Sequence, residues 1–169
     1  MLFVLRIVHV VAGVFWVGSV MFATLLLAPS LKAVGPGAGP VMNELIKVRK
    51  MPVVMMISSI LTVVAGLWLF MIRAAGQPGV FMSSGAGMTY AIGGAMAVLG
   101  FTIGMAVNLP TTKRLGAIGS GVAARGGPPT AEEQAEMKRL QGRLSTASQV
   151  VMGFLVLATV AMAIGRYVP

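Results

Sequence analysis

The sequence predicts an all-α integral membrane protein, an antiparallel four-helix transmembrane bundle with an amphipathic inner-side helix before the fourth span. Three observations carry that expectation. The chain of 169 residues is 57% hydrophobic and only 10% charged, whereas a soluble domain has about a quarter of its residues charged. Four apolar runs, at about 2–28, 52–72, 88–108 and 148–167, reach or approach the ~20 residues that cross a ~30 Å hydrocarbon layer. None shows the period-two alternation of a membrane strand. Residues 1–169 are therefore read as one membrane domain with a long inner loop at 109–147.

Helix 1 begins at Leu2, and Pro29 is expected to close it. Its apolar stretch exceeds the 7 to 15 residues usual for the core of a signal peptide, so it is expected to be retained. AVGPGAGP (33–40) reads as a turn rich in helix breakers. In VMNELIKVRK (41–50), Val41, Leu45 and Val48 recur at helical spacing opposite basic residues. That pattern suits the inner membrane surface, where lysine and arginine meet anionic headgroups, and equally suits a solvated turn.

The second span follows, and RAAGQPGVFMSSGAG (73–87) is a short outer loop with one charge. On the third span Gly93, Ala97, Gly100 and Gly104 share a face, and small residues at that spacing let helices approach closely within a bundle. GAIGSGVAARGGPP (116–129) is glycine-rich, but no strand precedes it and no Lys-Ser/Thr pair follows, so it reads as a flexible linker and not a phosphate loop. Thr130 and Glu133 then form a capping-box pattern. Met137, Leu140 and Leu144 give the following helix one apolar stripe, to rest on the membrane or on a partner. Trp68, Tyr90 and Tyr167 fall near the outer interface. No internal repeat of useful length is visible.

Net charge is +9, and its distribution argues against nucleic acid, which calls for a basic face on a soluble module. Ten of the 13 basic residues lie between helices 1 and 2 (Lys32, Lys47, Arg49, Lys50) or between helices 3 and 4 (Lys113, Arg114, Arg125, Lys138, Arg139, Arg143). Only Arg6, Arg73 and Arg166 fall at the other ends. By the positive-inside rule both large loops are cytoplasmic and both termini lie outside, in a bacterial-type inner membrane. The lipid bilayer is the expected partner, together with other membrane-protein subunits.

Helix 1 carries the candidate site. Arg6, His9, Gly13 and Trp16 follow one another at spacings of three, four and three, and so share a face. Ionisable groups within a span are costly and turn toward the bundle interior, a cavity or a cofactor. A b-type haem fits this stripe, with His9 as the metal ligand, Arg6 at a propionate, Gly13 leaving room for a flat ligand and Trp16 closing the floor. His9 lies about 9 Å outward of the helix midpoint at 1.5 Å per residue. Met96 and Met162 are the nearest thioethers in depth, and Arg166 and Arg73 are further propionate partners. The plainer alternative is that His9 bonds a neighbouring carbonyl and ties two helices together, while Arg6 reaches the headgroups.

Two other chemistries are less favoured. Met21, Met56, Met105 and Met152 come from four helices at similar depth, and thioethers suit Cu(I). The 14 methionines are nonetheless ordinary core filling, so a copper site is not expected. The absence of cysteine removes disulfides, thiolate metal sites and covalent haem attachment. No carboxylate enters a span, so a proton or cation pathway is not expected either.

His9, Trp16 and Gly18, in the pattern H-x6-W-x-G, and the closing AMAIGRY (161–167) resemble the small membrane proteins related to copper-resistance protein D and to HemJ-type protoporphyrinogen oxidase. The resemblance implies the four-helix layout and, from the HemJ branch, b-type haem at the first-helix histidine, here His9. No lysine lies in the outer half of a span and no carboxylate lies outside, so neither protoporphyrinogen oxidation nor copper import is expected. Two functions remain: a haem-binding element in electron transfer or a redox partner, and a non-enzymatic accessory subunit of a larger respiratory or photosynthetic membrane complex.

Overall fold

A computed structural model describes residues 1–169, the side chain of Pro36 apart. Its regular structure is helical throughout, with no strand among the described residues. In chain order the α-helices are α1 (Leu2–Phe22), α2 (Ala28–Val34), α3 (Gly39–Asn43), α4 (Met51–Ala74), α5 (Pro78–Ser83), α6 (Gly85–Ile103), α7 (Leu109–Arg125) and α8 (Ala131–Ile164). Several run on through π-helical turns into longer rods. Four such rods, Leu2–Val34, Met51–Ala74, Gly85–Arg125 and Ala131–Tyr167, are long and apolar enough to cross a membrane.

Two expectations about helix ends are corrected here. Pro29 does not close helix 1, which passes through a π turn at Ala23–Leu27 and continues as α2 to Val34. The segment 116–129 is no flexible linker over most of its length, because α7 continues to Arg125 and only the last few residues turn. The third rod makes the same manoeuvre as the first, with a π turn at Gly104–Asn108 ahead of Pro110. A proline inside a helix lacks an N–H and its ring presses on the carbonyl four residues earlier. One extra residue in the preceding turn moves that carbonyl aside, so the chain bends without ending. Stop signals come instead from glycine in the left-handed region, Gly126 (φ 67°) after α7 and Gly35 (φ 65°) after α2.

The rods pair into two hairpins, α1 with α4 and α6 with α8. In the first, His9 lies against Gly66 and Gly13 against Thr62. In the second, Gly93 meets Ala161, Gly100 meets Leu155, and Asn108 reaches Ser148. Numbers rise along one helix as they fall along the other. The hairpins share a local pattern, APSLKAVG (28–35) against LPTTKRLG (109–116), each proline standing two residues after its π turn. This repeat is too short to be noticed before the bends are seen.

Glycine sets the approach within α6–α8. A Cβ on Gly93 would come within 3.0 Å of the Ala161 Cβ and 3.3 Å of the Ala158 carbonyl oxygen, whereas Gly104 borders open space. The bundle core is small: Trp16, Val20, Val151 and Leu155 are buried together, and Trp16 meets Phe101 edge-on at 6.4 Å. Such an aromatic pair contributes roughly 0.5–1.5 kcal/mol beyond its buried area. Most other large apolar side chains, Val10, Val14, Leu67 and Leu157 among them, face outward.

At 34 residues, α8 is about 51 Å long, well beyond a ~30 Å hydrocarbon layer. Its first half pairs with α7. Thr130 accepts from the Glu133 amide at 3.2 Å while the Glu133 carboxylate accepts from the Thr130 amide at 2.9 Å, completing the capping box. Leu140, from the expected apolar stripe, is buried, in a stretch that α7 flanks and clasps by ion pairs. Arg125 pairs with Glu133 at 2.6 Å, and Arg114 reaches Glu136 at 3.1 Å. The hydrogen bond from Arg125 holds the Glu133 carboxyl below its ordinary range, and that from Arg139 does the same for Glu136.

These packing features yield two expected outcomes. Gly93→Ala should destabilise the protein by about 1–3 kcal/mol through overpacking, while Gly153→Ala, bordering open space in the same hairpin, should be neutral or stabilising by up to about 1 kcal/mol. Thermal unfolding in detergent reads both. The depressed carboxyls stabilise the α7–α8 arm at pH values above the unfolded carboxyl value of 4.5, and that contribution disappears as pH falls through the lower folded values. Amide protection factors over 109–147 should therefore drop in acid and stay constant between pH 6 and 8.

Candidate functional site

The chain's one histidine is half-buried on α1 and faces α4. Its Nδ1 lies 2.8 Å from the Thr62 carbonyl oxygen. A carbonyl can only accept, so Nδ1 carries the hydrogen and, in the neutral ring, Nε2 keeps the lone pair. The ring can come this close because residue 66 is glycine. A Cβ there would stand 2.7 Å from the His9 Cε1 and 2.9 Å from Nδ1.

Thr62 makes the platform. Its hydroxyl donates to the Ser58 carbonyl at 2.7 Å, and Ser58 and Ser59 donate to Met55 and Met56 in the same helix. The buried hydroxyls are thus satisfied within α4, leaving its small-residue face free to receive α1. Ser58, Thr62 and Gly66 recur every fourth residue, a small-residue pattern of the kind that brings helices together in lipid. Thr62 and Gly66 were missed in reading the sequence, although this spacing was the signal that could have found them.

The other residues of the stripe have different surroundings. Gly13 faces the Thr62 methyl, 3.4 Å from where a Cβ would stand, so the room it leaves is taken by α4. Trp16, 5% exposed, belongs to the core with Val20, Val151 and Leu155. Arg6 is exposed. Met162 packs over Gly93 in the other hairpin, and Met96 is half-buried on α6. Arg166 is exposed, donates to the Tyr167 hydroxyl and lies 4.5 Å from that ring's centre. The structure therefore brings His9 to Thr62 and Gly66, and Gly13 to Thr62, and sets Met162 on a different helix pair.

Among the described residues no group of three or more His, Asp or Glu side chains could hold a metal ion. The four methionines considered for copper do not share one environment: Met152 packs on the core while Met21 is exposed. For haem the test is His9 itself. A metal-binding histidine typically donates its second ring N–H to a carbonyl or carboxylate, which fixes the tautomer and aims the free nitrogen. The His9–Thr62 bond is of that kind, so the residues present fit one axial ligand. Comparison with family models, curated proteins and solved structures finds no match for this chain.

The close seat on Gly66 is open to test. Gly66→Ala should displace the imidazole and break the Nδ1 bond, moving the His9 Nδ1 nitrogen resonance toward that of a free ring. An unchanged resonance would mean that the glycine is not what admits the histidine.

Proposed function

We propose that the chain is a multi-pass protein of a bacterial-type cytoplasmic membrane, an antiparallel four-span bundle with Met1 and Pro169 on the outer side, that holds b-type haem through Nε2 of His9. The observation that carries this reading is the 2.8 Å bond from His9 Nδ1 to the Thr62 carbonyl. It orients the ring, fixes its tautomer and leaves the other nitrogen for iron. Arg6 lies nearly one turn toward the outer end of the same helix and is the natural partner of a propionate, as is the exposed Arg166. Met162 and Met96 are the thioethers at matching depth, but Met162 is engaged with Gly93, which favours a single protein ligand from His9.

Haem bound here supplies one-electron exchange, and the protein acts as an electron-transfer element or redox partner near the outer face. The chain's own part is to hold and orient the ligand, to neutralise propionate charge with arginine, and to keep the site in apolar surroundings. The resemblance in H-x6-W-x-G agrees with this role for His9.

A second reading has its own support. Gly13 seated on Thr62, and Trp16 buried against α6 and α8, are what a helix-packing subunit needs, and a His9–Thr62 clamp would serve it equally. That protein would be a non-enzymatic accessory subunit of a larger respiratory or photosynthetic complex. The two readings part on one spectrum. Protein purified from haem-replete cells should show a Soret band with reduced-minus-oxidised features, and His9→Ala should abolish it while the helix content is kept. No band, or one indifferent to His9→Ala, rejects the haem reading, and co-migration with partner proteins in native electrophoresis then favours the subunit.

A further inference from the structure

The side-chain oxygen of Asn108 is buried and has no hydrogen-bond partner. Asn108 closes the π turn Gly104–Asn108, two residues before Pro110. Its amide nitrogen is 3.3 Å from the Ser148 hydroxyl of α8, leaving the oxygen as a stranded acceptor. A second acceptor lies in the same turn. Pro110 has no N–H, so the carbonyl it would have met, at Met105 or Ala106, lacks its backbone donor. Helical side chains lean over the turn before them, which sets the Asn108 amide above that carbonyl.

Ser148 supplies the complementary group. Ser58, Ser59, Ser120, Thr111 and Thr159 each donate to a carbonyl of their own helix. Ser148 is bonded only as an acceptor among the described residues, so its hydroxyl hydrogen is free. Two acceptors without donors and one donor without an acceptor, in a half-buried polar niche, are the complement of one water molecule.

The first hairpin provides an internal control. It makes the same π turn two residues before Pro29, with Leu27 in the place of Asn108. The backbone bend therefore does not require an amide, and Asn108 answers another need.

We propose that Asn108, Ser148 and the carbonyl released by Pro110 bind a single ordered water that bridges α8 to the bend in the third rod. The site is independent of His9 and of any cofactor. The water donates to Asn108 Oδ1 and to the carbonyl, and accepts from Ser148, so every stranded group is satisfied and the bend is tied to its neighbour.

The test is water-edited solid-state NMR on the full chain in lipid bilayers, labelled at asparagine, of which there are only Asn43 and Asn108. A slowly exchanging water cross-peak at the Asn108 side chain is expected. Asn108→Leu, which copies the Leu27 arrangement, should lower the Tm by several degrees, because the Ser148 hydroxyl and the carbonyl lose their bridge. Absence of the cross-peak in the parent protein overturns the proposal. So does an Asn108→Leu protein as stable as the parent or more so, since removing a truly stranded amide relieves a cost. Should that variant not fold, the parent cross-peak and its weakening in Ser148→Ala decide the matter, and an undiminished peak in Ser148→Ala counts against the bridge.

Discussion

Every backbone N–H and C=O in an apolar environment must find its partner within the chain, and the architecture follows from that requirement. Helices meet it locally, which is why the described regular structure is entirely helical. Its reach is clearest where the sequence resists it. Pro29 and Pro110 each remove a donor from the middle of a rod, and in both places the chain inserts a π turn and continues. The same requirement makes the Asn108 niche conspicuous, because there polar groups remain after the helix has satisfied what it can.

With hydrogen bonds used up inside each rod, contact between rods depends on how closely their surfaces approach. There is little conventional core to help. Trp16, Val20, Val151 and Leu155 form the buried centre, while many large apolar side chains point outward. Close approach is obtained by small residues, Gly66 under His9, Gly13 against Thr62 and Gly93 against Ala161. His9 is seated in this way, so the feature that orients its ring also brings α1 and α4 together. Ligand orientation and helix clamping are therefore consequences of one contact, which is why both readings of the protein draw on it.

The charged arm formed by α7 and the first half of α8 obeys different physics. Its acids face arginines across the pair, exposed to screening by water and salt, where each such pair contributes little alone. The capping box and buried Leu140 give the arm its form, and the ion pairs set its pH response. Four arginines take the paired acids, leaving the inner-side lysines to carry much of the positive charge.

Much of this was legible in the sequence. Apolar run length determined the four long helices, Thr130 and Glu133 determined the cap, and helical periodicity put His9 and Gly13 toward one neighbour, because these are properties of a single helix and need no knowledge of its partner. Helix ends were less legible: Pro29 and the glycines of 116–129 are breakers by propensity, yet a π turn and the support of α8 outweigh propensities worth about 1 to 3 kcal/mol per residue. Tertiary structure alone decided what the stripe on α1 touches. It assigned Trp16 to the core, filled the room beside Gly13 with Thr62, and set Gly66 beneath the imidazole, because which small residue lies opposite a histidine depends on the register between two helices, and no pattern within one helix records that register.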